Sequence, residues 1–167
     1  LCTGLAGTTV TKVNLSKTAL QAEEGPAVQG LCKMLCSCPE LVEIGLAWTG
    51  LHGRAAAAII TSLSKSSVLT ADLSWNGLGT AHNSKNSTDL HGSVGVTKSA
   101  AKKGTQSQLH VPRTCATELG TLLRTNTTLT HLDLSFTRLC EQDCSALNTA
   151  LSQNHSLLGL HMQGNWA

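Results

Sequence analysis

A strand-and-turn motif that recurs about every 28 residues constrains this chain more than anything else in it. The clearest copy is Leu129, Leu132, Leu134, Thr137 and Leu139, and its successor begins Leu157, Leu160, Met162, Asn165. Both fit L-x-x-L-x-L-x-x-N-x-L, with Thr in the Asn position of the first. Earlier copies are Val10, Val13, Leu15, Thr18, Leu20; then Leu41, Ile44, Leu46, Thr49, Leu51; then Val68, Ala71, Leu73, Asn76, Leu78. The starts lie 31, 27, 61 and 28 residues apart. The long interval is either one repeat carrying roughly 33 extra residues or two repeats with one degenerate, and insertion is the preferred reading.

Helix-spaced apolar sets precede the strand motifs. They are Val28, Leu31, Cys32 and Leu35; Ala56, Ile59, Ile60 and Leu63; Ala116, Leu119, Gly120 and Leu123; and Cys144, Leu147, Asn148 and Leu151. Strand and helix therefore alternate once per repeat, which makes an α/β chain. The L-x-L spacing turns two apolar side chains of a short strand inward, and the Asn or Thr can hydrogen-bond backbone groups of the turn. No repeat can bury its apolar face alone, so neighbours must stack with their strands paired in parallel.

These motifs resemble the ribonuclease-inhibitor-like class of leucine-rich repeats, which is also found in NOD-like immune receptors, in Ran GTPase-activating protein and in cytoskeletal or ciliary proteins. The resemblance covers about residues 1–78 and 114–167. It implies a leucine-rich-repeat solenoid of about five strand motifs, with a curved parallel sheet on the concave side and helices on the convex side. The Asn position departs from the pattern, being Thr at 18, 49 and 137.

The first residues, Leu1 to Leu5, read as the end of a helix from an earlier repeat, and the last strand motif runs almost to Ala167. Neither end resembles a polar cap, so a fragment of a longer protein is expected. Residues 79–113 are rich in Gly, Ser, Thr, Asn and Lys, a composition that buries too little apolar surface to fold alone. This stretch is expected to be a polar, basic insertion into an otherwise single domain spanning 1–167.

Composition narrows the function classes. Three Trp, one Phe and no Tyr leave an aliphatic core, and a net charge of +2 gives no reason to expect nucleic acid or an anionic membrane as partner. There is no apolar run of membrane-spanning length and no signal-peptide pattern at the N-terminus. Seven irregularly spaced cysteines read as free thiols of a reducing compartment, so a cytoplasmic location is expected, and the resemblance implies a cytoskeletal or ciliary one. No C-x-x-C pair, P-loop or nucleophile elbow occurs, so the expectation is a non-enzyme with no cofactor and no metal.

Candidate binding residues follow from the strand alternation. One exposed column is Lys12, Glu43, Thr70, His131 and Gly159, a second is Asn14, Gly45, Asp72, Asp133 and His161, and a third is Ser16, Ala47, Ser74, Ser135 and Gln163. Trp48, Trp75 and Phe136 share the position before the Thr or Asn, where they either anchor a partner or pack on the neighbouring turn. Asp72 and Asp133 either contact a partner or serve only the D-L-S turn pattern. In the inserted stretch Lys85, Lys98, Lys102 and Lys103 against Asp89 would favour an acidic partner surface.

These features suggest a protein-interaction scaffold within a multiprotein assembly such as a cytoskeletal or ciliary complex. The resemblance leaves two alternatives, the ligand-sensing repeats of a NOD-like receptor and a GTPase-activating protein of the Ran activator type.

Overall fold

A computed structural model of the chain describes residues 2–5, 7–20, 25–79 and 114–165. The elements alternate throughout: α1 (Cys2–Leu5), β1 (Lys12–Asn14), α2 (Pro26–Ser37), β2 (Glu43–Gly45), α3 (Gly53–Leu63), β3 (Thr70–Asp72), α4 (Cys115–Thr125), β4 (His131–Asp133), α5 (Glu141–Leu151) and β5 (Gly159–His161). The five strands form one all-parallel sheet in sequence order. Its register aligns Lys12, Glu43, Thr70, His131 and Gly159. Each of the five strands falls on one of the five sequence motifs.

Burial follows the motif. Val13, Ile44, Ala71 and Leu132 point into the core from the middle of their strands, followed by Leu46, Leu73 and Leu134. Leu160 and Met162 of the last copy are only partly buried. The apolar faces of α2, α3 and α4 close the other side of the layer. Two members of the expected helix sets stand elsewhere. Asn148 is exposed, because α5 buries Asp143, Leu147 and Ala150, and position 148 lies one residue off that stripe. Cys32 is half-buried while Met34, outside the expected set, is fully enclosed.

Helix ends are stitched to the preceding repeat. The last carbonyls of a helix have no partner within it. Asn126 Nδ2 donates to the carbonyls of Leu63, Ser64 and Ser66 at 3.3–3.4 Å, and Asn154 Nδ2 donates to Leu123 O at 2.6 Å. Cys38 holds the same place and its thiol donates to Leu5 O at 2.9 Å. A thiol can thus stand in for the turn Asn, as a weak donor on a small side chain.

β3 pairs directly with β4, and α3 packs against α4, although the two motifs start 61 residues apart. Thr114 caps α4 by accepting the N–H of Thr117, so the helix begins one residue after the cap, as α3 does after His52 and α5 after Cys140. Gly79 donates its N–H to Thr137 O at 3.0 Å, and a Cβ there would overlap the Arg138 carbonyl. The expected insertion, with Lys85, Lys98, Lys102 and Lys103, lies outside the described residues apart from Gly79.

Candidate protein-binding face

The face of the sheet away from the helices carries the first two expected columns. In the first, Lys12, Glu43 and His131 are exposed, and Lys12 Nζ meets Glu43 Oε2 at 2.9 Å. Both groups are well solvated, so the pair is worth at most about 1 kcal/mol. The His131 ring leans over Gly159, where a Cβ would lie 2.6 Å from His131 Cδ2. A side chain at 159 would displace the imidazole.

The second column, half-buried at Gly45, Asp72 and Asp133, has a local task as well. Asp72 Oδ1 accepts the N–H of Ser74 at 2.9 Å, Asp133 Oδ1 that of Ser135 at 2.8 Å, and Asn14 Oδ1 that of Ser16 at 2.9 Å. These are Asx turns, which bend the chain as it leaves each strand. Gly45 has no side chain to do this, and the N–H of Ala47 is taken instead by Ser16 Oγ of the previous repeat at 3.1 Å. Asp72 and Asp133 therefore spend one oxygen on the fold. His161, at the end of the column, is exposed.

The third column is exposed only at its last member, Gln163, and Ser16 is half-buried. Ala47, Ser74 and Ser135 are only 9%, 6% and 8% exposed. The chain has already begun its turn at these positions, so strand alternation no longer decides which way a side chain points.

The next residue of every repeat is in the left-handed region. Lys17, Trp48, Trp75, Phe136 and Gly164 have φ of 64°, 58°, 57°, 56° and 71°. Only glycine adopts this conformation freely, and for other residues it costs about 1–2 kcal/mol. Yet three consecutive turns place Trp, Trp and Phe there. Trp48 stacks on Trp75 with ring centroids 4.4 Å apart and planes 15° from parallel, and Trp75 stacks on Phe136 at 4.1 Å and 18°. The separation is dictated by the strand spacing of about 4.8 Å. The ladder stops at Gly164, where a Cβ would overlap the Phe136 ring.

Both faces of Trp75 are spent on its neighbours, leaving its edge outward, while Trp48 and Phe136 each stack on one face. Trp48 is 54% exposed and Trp75 42%. Beside the ladder runs a groove of about 530 Å³, lined by the three rings with Gly50, His52, Asn76, Gly77, Arg138 and Gly164. Gly50, Gly77 and Arg138 occupy the position after the Thr or Asn, so the glycines leave backbone bare along two turns while Arg138 projects from the third. Arg138 is also left-handed, at φ 63°, where Gly50 has 72°. The aromatic column is legible in the sequence and the groove beside it is not among the expectations drawn from it. The repeated Gly after Thr49 and Asn76 was the available signal.

Among the described thiols Cys38, Cys115 and Cys140 are buried, Cys32 and Cys144 half-buried and Cys36 exposed. Burial pushes the Cys115 thiol up to about 11, with the nearby charges of Asp143 and Glu118 adding to the effect. Burial raises Cys32 and Cys144 as well. Among the described residues no three His, Cys, Asp or Glu side chains converge as a metal site requires. Among the same residues no helix is long and apolar enough to cross a membrane.

No protein-family model matches the chain, and no curated protein does. A solved structure that it resembles is that of Leiomodin-1 Actin-Binding Site 2 (ABS2), with a TM-score of 0.61 and 17% identity, covering 93% of this chain and 69% of that one. At this identity the likeness is one of fold. Together with the five parallel strands and intervening helices it fits a leucine-rich-repeat-like arrangement.

Proposed function

We propose that this chain is a non-enzymatic scaffold that binds other proteins, built as a leucine-rich-repeat solenoid of the ribonuclease-inhibitor-like type and belonging to a cytoskeletal assembly. The observation that carries the reading is the exposed ladder of Trp48, Trp75 and Phe136. Three bulky side chains occupy a backbone conformation that disfavours them, and none fills the aliphatic core. Strain held at a solvent-facing site is a pointer to function, and aromatic side chains are the usual anchors of protein interfaces. The adjoining columns, with Glu43, Asp72, His131, Asp133 and His161, supply a polar surround. The cytoskeletal part rests on the actin-binding neighbour in fold.

Two measurements test this. Co-sedimentation with actin filaments is expected to carry the chain into the pellet in a saturable way. A photo-cross-linking residue in place of Thr70, at the centre of the exposed face, is expected to capture other proteins in a cell extract. Cross-links confined to copies of this chain, or none, would overturn the scaffold reading. Cross-links to other proteins without co-sedimentation would keep the scaffold and remove actin filaments as its partner.

A further inference from the structure

We propose that the groove beside the aromatic ladder binds an extended acidic peptide segment, with a carboxylate against Arg138 and backbone carbonyls on the indole N–H groups of Trp48 and Trp75. This deepens the protein-binding reading and rests on it, but it names the chemistry of the ligand and the residues that select it.

Charge comes first. Of the nine described residues that line the groove, none is acidic and Arg138 is the one permanent charge. Among the described residues its guanidinium is paired with no carboxylate. It also stands where the two sister turns have Gly50 and Gly77, in a conformation that glycine adopts more cheaply. A guanidinium held there offers a planar fork to an incoming carboxylate.

The rings give the second constraint. Because Trp75 is sandwiched between Trp48 and Phe136, a ligand meets its edge rather than a face. Edges carry the positive part of the ring quadrupole and attract oxygen acceptors. Among the described residues neither indole N–H makes a hydrogen bond, and both rings are well exposed, so each can donate to a ligand. His52 Nδ1 is already engaged with Gly50 O at 2.7 Å. The groove thus presents donors and positive edges to a ligand that supplies acceptors.

Dimensions give the third. The ladder crosses three turns, which at strand spacing is about 10 Å from Trp48 to Phe136. An extended chain covers that length with about three residues. Bare backbone at Gly50 and Gly77 lets such a chain lie close.

The test uses the full chain carrying Trp166→Phe, so that Trp48 and Trp75 alone report by fluorescence. The probe is the acetylated, amidated hexapeptide Pro-Glu-Pro-Glu-Pro-Glu, extended by its prolines. It is compared with the peptide in which every Glu is Gln. The acidic probe is expected to shift the indole emission saturably, with the Gln peptide about fivefold or more weaker, as befits one charge-assisted contact. Arg138→Gln should weaken the acidic probe by the same factor and leave the Gln peptide unchanged. Trp75→Ala should weaken both peptides, and Glu40→Ala, at an exposed position in the turn after α2, neither. Equal binding of the two peptides, an Arg138→Gln variant that still prefers the acidic one, or no saturable shift would each overturn the proposal. Capture of proteins through position 70 is a separate readout, so this failure is distinguishable from failure of the scaffold reading.

Discussion

Asn76 completes the turn of the repeat before its own: its Oδ1 accepts the N–H of Thr49 at 3.2 Å and that of Leu51 at 3.0 Å. The Thr49 hydroxyl lies 3.2 Å from the same oxygen and 2.9 Å from Leu46 O, so its one proton is shared. Asn76 Nδ2 in turn donates to the carbonyls of Leu46, Leu73 and Ser74. Asn165 repeats the arrangement on Thr137 and Leu139. Thr at 49 and 137 is therefore no defect, because the next repeat supplies the amide that Thr lacks, whereas Thr18 is followed by Thr49 and its hydroxyl bonds only Leu15 O of its own turn.

Asn76→Ala is expected to be one of the most damaging single changes. It strips partners from buried backbone groups in two repeats, each worth about 1–3 kcal/mol when left unsatisfied, for a loss of about 3 kcal/mol in all. Asn165→Ala removes similar bonds where the site is only part-buried, and should cost about half as much. Urea unfolding of the two variants measures the difference. Equal losses would mean that the bonds count for less than some other role of the Asn.

At Trp75 the backbone and the side chain oppose each other. Two stacked neighbours are worth about 0.5–1.5 kcal/mol each, against about 1–2 kcal/mol for the left-handed backbone. Trp75→Ala loses the stacking and keeps the strain. Trp75→Gly loses the stacking but is relieved of the strain, so it should unfold at higher denaturant than Trp75→Ala by about 1 kcal/mol. The opposite order would show that the turn is not left-handed in solution.

The fold was legible because repetition multiplies a weak signal: one L-x-x-L-x-L is commonplace, and five in register are not. The strand columns were legible only as far as the strand lasts. Glu43 and His131 came out exposed as alternation requires, whereas Ala47, Ser74 and Ser135 lie beyond the strand and were buried by the turn. That Trp48, Trp75 and Phe136 share one position could be read from spacing. That they stack could not, because it depends on a positive φ at each of them. That Arg138 stands where the sister turns have Gly50 and Gly77 could be read from spacing too, but not that this position adjoins the aromatic wall, which again depends on the turn geometry.

Cys115 predicts how stability falls in alkali. Its folded thiol is raised from the ordinary 9.0 to about 11, mainly by burial, so the folded state holds the proton more tightly than the unfolded one. The associated stability is fully present below pH 9 and is lost as the pH rises through 11. The two units correspond to on the order of 2 kcal/mol. Cys115→Ala should therefore lose less stability than the unaltered chain between pH 9 and 11, measured by urea unfolding at each pH. Parallel curves would show that the thiol titrates alike in both states. Labelling at pH 8 should meanwhile modify the exposed Cys36 quickly and Cys115 only on unfolding.

The last prediction concerns residues 80–113, which we propose are an insertion rather than a degenerate repeat. β3 is already paired with β4 and α3 already packed on α4, so a further repeat has no place between them in the described sheet. Joining Gly79 directly to Thr114 would leave two residues between Leu78 and α4. His52 and Cys140 each bridge the same step alone, so the shortened connection is long enough. Loop length itself matters little to stability, at about 0.6 kcal/mol per doubling. The shortened chain is expected to keep its circular dichroism spectrum and to melt cooperatively within a few degrees of the original. Capture of partners per folded molecule should fall, and its salt dependence should weaken, because Lys85, Lys98, Lys102 and Lys103 leave with the segment. A shortened chain that fails to fold, yet whose folded fraction still captures partners with the same salt dependence, would make the segment part of the core and reverse the proposal.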